Sequence, residues 1–112
     1  MPQRLSTAWF AAGLALAVTA SAAHAQVTGN ASAGKNKNSM CVGCHGVPGY
    51  RTAYPEVYRV PMIGGQQPEY LVKALQAYKS GERNHPSMRG IAASLSEQDM
   101  ADFAAYYGGA KK

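Results

Sequence analysis

Apolar residues are arranged along this chain in three different ways. From Ala8 to Ala20 they run almost without interruption, including Trp9, Phe10, Leu14, Leu16 and Val18. Near the other end they recur at helical spacing. Met100, Phe103, Ala104 and Tyr107 fall at i, i+3, i+4 and i+7, the stripe of a helix with one buried face. Ser96 and Asp99 ahead of that stripe resemble a capping box, and Gly108-Gly109 ends it. Tyr70, Leu71, Ala74, Leu75 and Tyr78 repeat the spacing and predict a helix over Glu69 to Ser80, opened by Pro68 and closed by Gly81. Ala31 to Met40, rich in Ala, Lys and Ser, predicts a first helix, although Gly34 lowers its intrinsic propensity.

Between these helices the pattern dissolves. Gly46 to Gln67 carries Gly46, Pro48, Gly49, Pro55, Pro61, Gly64 and Gly65, and reads as an extended loop region. Its tyrosines, Tyr50, Tyr54 and Tyr58, suit the lining of a cofactor, ring inward and hydroxyl to a polar group. No segment alternates convincingly with period two and no internal repeat is visible. The expected fold is therefore all-α.

The uninterrupted apolar run belongs to a leader. Arg4 precedes it, and Ala23-His24-Ala25 supplies small residues on both sides of a cut before Gln26, the pattern of a secretory signal peptide. The run is shorter than the roughly 20 residues of a membrane-spanning helix, so cleavage is favoured over a retained anchor. Residues 1–25 are thus expected to be removed and residues 26–112 to form one small domain. No cysteine lies just after the cut, so lipid attachment there has no acceptor.

That domain is poor in large apolar residues, with Phe103 as its one phenylalanine, no tryptophan, and three leucines at 71, 75 and 95. A chain this short buries a modest share of its surface and needs a staple. Its four arginines and six lysines against six acids leave a net charge of +4, an excess that steers encounters with acidic partners. The basic residues are scattered and no base-reading motif is present, which argues against nucleic acid.

The staple is written in Cys41-Val42-Gly43-Cys44-His45. Two thiols one helical turn apart lie on the same side of a helix and can reach both vinyl groups of one porphyrin. The imidazole that follows projects beneath the iron as its proximal ligand. A thiol–disulfide site would expect a neighbouring βαβ pattern, and a zinc site would need a second donor pair. Neither is present, and the chain has no other cysteine. Folding and haem attachment are expected to be coupled.

The opposite face of the iron needs a second ligand, for which Met40, Met62, Met88, Met100 and His85 are available. Met40 adjoins the motif on its own helix, and Met100 lies on the buried stripe. Met62 and Met88 both fall in expected loops. The 43 residues from His45 to Met88 allow the chain to wrap one porphyrin edge, which favours Met88 over Met62 at 17 residues. His85 ranks below both, constrained by Pro86 and Ser87.

With these residues in place, the chain resembles the small class I cytochromes c, especially bacterial single-haem types and the single domains of two-haem relatives. The likeness covers nearly all of residues 31–109. It rests on Ala33-Gly34-Lys35, Cys41 through Gly46, Pro61-Met62-Ile63-Gly64-Gly65-Gln66, Tyr70-Leu71, Gly81-Glu82-Arg83, Met88, Ile91-Ala92, Leu95-Ser96 and Ala105-Tyr106-Tyr107. By resemblance Met88 takes the axial-methionine position and Met62 becomes loop packing. It also implies three to five helices around one covalent haem c, maturation outside the bacterial cytoplasm, and a close crossing of first and last helices through Gly34 and Tyr106. The Tyr50–Tyr58 segment, with Arg51 and Arg59, belongs to a narrower subgroup.

The expected function is a periplasmic one-electron carrier, not an enzyme, with iron held by His45 and Met88 and haem bonded to Cys41 and Cys44. Transient redox partners are expected: a membrane reductase, a terminal oxidase or a soluble periplasmic enzyme. Lys73, Lys79, Arg83 and Arg89 are candidates for the rim of an exposed haem edge, and Arg51, Arg59 and Arg83 for holding propionates. Asn84 is a candidate donor to the Met88 sulfur. The rival is a small-ligand sensor or peroxidase-like enzyme with a labile methionine.

Overall fold

The computed structural model describes residues 27–54 and 57–109. The leader expected over residues 1–25 lies outside them. Five helices and one short ribbon follow in order: α1 (Ala31–Lys37), α2 (Ser39–His45), β1 (Arg51–Thr52), β2 (Tyr58–Arg59), α3 (Pro68–Ser80), α4 (Pro86–Ala93) and α5 (Glu97–Gly108). Among the described residues no helix is long and apolar enough to cross a membrane.

The helix termini carry the signals read from sequence. Ser96 and Asp99 form a reciprocal capping box, with Asp99 N donating to Ser96 Oγ at 3.1 Å and Ser96 N to Asp99 Oδ2 at 3.0 Å. Pro68 begins α3, where a missing N–H costs nothing. Gly81 ends it at φ 88, a left-handed conformation that glycine adopts without a Cβ penalty.

Three departures have local causes. The first expected helix is two: α1 stops and α2 begins at Asn38, whose carbonyl accepts from both Cys41 N and Val42 N. Asparagine is a weak helix former because its side chain competes with the backbone. The expected loop over 46–67 contains an antiparallel ribbon, Arg51 opposite Arg59 and Thr52 opposite Tyr58. Two residues per strand are too few for alternation to show. The segment around Met88, expected to be a loop, is α4. Pro86 sits in its first turn, and the His85 ring accepts from Met88 N at 3.4 Å as the N-cap; a proline that looked like a breaker is a starter.

The core is small and built largely on α5. Met100, Phe103, Ala104 and Tyr107 are buried with Leu71 and Leu95, and Cys41, Ile63, Val72, Leu75 and Tyr106 pack against them. Helices α1 and α5 cross so closely that a Cβ at Gly34 would lie 2.2 Å from the Asp102 carbonyl oxygen and 3.0 Å from Tyr106 Cβ. Gly34 thus meets the backbone of Asp102 and, as anticipated from sequence, the side chain of Tyr106.

Charge locks the same crossing. Lys37 Nζ donates to Asp99 Oδ1 at 2.6 Å and to Asp102 Oδ2 at 2.8 Å. The buried Asp102 also accepts from Asn30 N and Gln98 Nε2 at 2.8 Å each. The Lys37 hydrogen bonds pull both carboxyl groups below the usual carboxylate range, and the two carboxylates raise the ammonium in return.

Candidate cofactor site

Helices α2 to α5 and the ribbon line a cavity of about 720 Å³, within the roughly 300–1,000 Å³ of ordinary ligand pockets. Cys41, Cys44 and His45 reach it from α2, Tyr70, Leu71 and Leu75 from α3, Met88 and Ile91 from α4, and Phe103 and Tyr107 from α5. The ribbon closes another wall with Thr52, Tyr58 and Arg59. The turn at Asn38 sets the axis of α2 independently of α1, so α1 stays docked on α5 while α2 faces the cavity.

His45 is held in one tautomer. Its Nδ1 lies 2.6 Å from the Pro61 carbonyl oxygen. A carbonyl only accepts, so Nδ1 carries the proton and Nε2 keeps its lone pair for a metal. Sequence reasoning did not find this partner. Every residue has a carbonyl, and nothing in the letters of Pro61 distinguishes its own.

Cys41 is partly buried, and burial pushes its thiol up from the ordinary value. A redox-active dithiol works through the opposite shift, toward thiolate. The thiol–disulfide alternative therefore loses support at the site itself. Among the described residues no group of three His, Cys, Asp or Glu side chains is placed to hold a metal ion.

The cavity fits a large, flat, mostly apolar group. Met40, Tyr58, Met62 and Tyr70 are 41–57% exposed, and all four line it. Large apolar surface turned into a cavity is what an apolar cofactor would cover. Tyr107 Oη is the one buried side-chain polar atom among the described residues without a hydrogen bond. Asn38 approaches it short of bonding geometry, and burial pushes the phenol up to about 12.

Four of the five candidate sixth ligands lie on the cavity: Met40, Met62, Met88 and His85. Met100 does not; it is fully buried in the core, as its place on the helical stripe implied. Arg59, Arg83 and Asn84 line the cavity, while Arg51 does not. Arg83 lies against the Tyr78 ring at 4.7 Å and donates to Tyr70 Oη at 3.5 Å. Lys79 donates to the Leu95 carbonyl, tying α3 to the turn before α5. Lys73 and Arg89 are exposed outside the cavity lining.

No family model matches the chain. It is 39% identical over 87 residues to cytochrome c4 of Pseudomonas aeruginosa, covering 78% of this chain and 41% of that protein. It is 42% identical over 82 residues to cytochrome c-554(548) of Halomonas halodenitrificans, covering 70% of this chain and 94% of the relative. The reduced recombinant cytochrome c4 of Pseudomonas stutzeri superimposes with a TM-score of 0.60 at 36% identity, over 75% of this chain and 47% of that one. The chain thus spans less than half the length of the cytochromes c4 it matches and nearly all of cytochrome c-554(548). With the cavity and its donors described above, this similarity makes the chain a member of the class I c-type cytochromes, in the form of a single-haem domain whose cofactor is covalently attached haem c.

Proposed function

We propose that this domain is an exported one-electron carrier in which Cys41 and Cys44 hold the haem through thioethers and His45 and Met88 are the axial ligands. The observation that carries the reading is the 2.6 Å contact from His45 Nδ1 to the Pro61 carbonyl. It leaves Nε2 as the donor and fixes the orientation of the imidazole that would hold the iron. It also tethers the loop that begins at Pro61 to the His45 side of the cavity. Met62, the very next residue, is therefore drawn toward the proximal side, which supports Met88 on α4 as the ligand from across. When bound, the haem supplies reversible one-electron exchange between ferric and ferrous iron.

The chain's own residues set the conditions for that exchange. The Met88 thioether is a soft, neutral donor that favours the reduced metal and raises the potential relative to a second imidazole. With His45 and Met88 as its two protein donors, a bound haem would offer no position for oxygen or peroxide. Ile63, Leu71, Leu75, Ile91 and Phe103 line the cavity and would exclude water from a haem held there. Arg59 and Arg83, both on the cavity wall, are placed to meet a propionate. The exposed remainder of the rim meets redox partners through small, quickly released interfaces. These partners are periplasmic, and residues 1–25 are the export signal that delivers residues 26–112 there.

The test is the visible spectrum of the exported protein with and without carbon monoxide, in the wild type and two variants. A ferrous spectrum that the gas leaves unchanged over minutes, with only slow binding over hours, is expected for the carrier. Rapid, complete binding of the gas by the wild type would instead make it a ligand sensor or a peroxidase-like enzyme. Met88→Ala is expected to abolish low-spin methionine ligation and open the iron to the gas, while Met62→Ala leaves both unchanged.

A further inference from the structure

The ribbon and the N-cap of α4 meet at a point for which the electron-carrier reading has no use. The Tyr58 ring on β2 packs against the His85 ring with centroids 4.6 Å apart at an interplanar angle of 54°. His85 in turn is the N-cap of α4, its Nδ1 accepting from Met88 N at 3.4 Å. Its backbone carbonyl accepts from Arg89 N at 2.8 Å. The first turn of α4 therefore hangs from one imidazole, and that imidazole leans on the ribbon. We propose that Tyr58 and His85 are positioning residues that fix the Met88 thioether at the cavity wall. This inference rests on the reading of Met88 as the axial ligand.

The physical case starts from the length of α4. It has eight residues, too few to hold together without tertiary support and satisfied ends. Ordinarily Ser, Thr, Asp or Asn caps a helix, by a side-chain oxygen on a short stem. Imidazole is a larger cap with a flat face, and a flat face can be clamped. Tyr58 supplies the clamp from an element 27 residues away in sequence, and both residues line the cavity. The capped N–H belongs to Met88 itself. Loss of the cap thus loosens the backbone that carries the sulfur, not a remote part of the helix.

Simple stabilisation of the fold is a different role, and the two separate by measurement on the haem-loaded protein. The methionine-to-iron charge-transfer band of the ferric form reports the sulfur, and far-ultraviolet circular dichroism reports the helices. In wild type both should be lost together on heating. In His85→Ala the band should disappear well below the dichroism midpoint, and the rate of carbon monoxide binding to the ferrous form should rise about fivefold, as expected for loss of one cap. His85→Asn restores a capping acceptor without the clamped ring, and should recover most of the band. Tyr58→Leu, which keeps apolar bulk on the exposed ribbon, should shift the band in the same direction as His85→Ala and serves if that variant does not fold.

Band and dichroism midpoints that move together in both variants would overturn the proposal, as would an unchanged rate of gas binding. A band that survives in Met88→Ala overturns the assignment of Met88 and this inference with it. A band lost in Met88→Ala but unmoved in His85→Ala and Tyr58→Leu overturns the inference alone.

Discussion

At the scale of single residues, Asp102 is a buried carboxylate with three hydrogen-bond donors. It is 3% exposed and accepts from Lys37, Gln98 and the backbone of Asn30. Asp102→Ala is expected to cost about 2 kcal/mol, the value of charge-assisted hydrogen bonds lost with no substitute, read as a lower midpoint in chemical denaturation. The pH dependence has a definite sign. Asp99 and Asp102 are both held below their unfolded values, near 3.9, so the native state is favoured where they are ionised. Their contribution is complete above about pH 5 and is lost as the pH falls through and below 4. Thermal midpoints measured from pH 7 down to pH 3 should decline over that interval, and Asp102→Asn should flatten the decline. Nothing local marks this site: Asp102 stands between Ala101 and Phe103, and two of its partners, Asn30 and Lys37, lie 72 and 65 residues away.

At the scale of elements, two helices were read almost to the residue and one was missed. Helix α5 was legible because its buried stripe, its capping box and its terminal glycines all agree. Helix α3 was legible for the same reason, with Pro68 and Gly81 at its ends. Helix α4 was not, because Pro86 and Gly90 dilute its pattern and its N-cap is a histidine, outside the usual set of capping residues. The α1–α5 crossing makes a sharp prediction. Gly34→Ala improves local helix propensity, yet its new methyl group would meet the Asp102 carbonyl at 2.2 Å. Backbone cannot swing aside as a side chain can. The net effect should be a loss of about 1–3 kcal/mol by overpacking, measured by thermal unfolding of the haem-loaded protein.

At the scale of the whole molecule, the haem and the protein complete one another. The buried apolar residues are few and sit mainly on α5, while Met40, Tyr58, Met62 and Tyr70 turn substantial apolar surface toward the cavity. Removing the covalent attachment with Cys41→Ala and Cys44→Ala together should therefore leave a chain without a cooperative unfolding transition. Calorimetry and far-ultraviolet circular dichroism of the purified double variant check this. A sharp transition with native helicity would mean that α1, α3 and α5 make a sufficient core by themselves.

The sequence alone determined the chemistry that is covalent or local. Two thiols three residues apart and the imidazole beside them are fixed by chain connectivity, and helix signals reside in neighbouring residues. The fold class and the choice of cofactor followed from these. Tertiary structure decided what depends on distant segments meeting. Asn30 and Asp102 are joined across 72 residues of chain, and the proton on His45 is assigned by a carbonyl 16 residues on. The clamp on His85 comes from a ribbon too short to leave a periodic trace. Backbone carbonyls and ring faces are present all along any chain, so only their positions in space give particular ones a role.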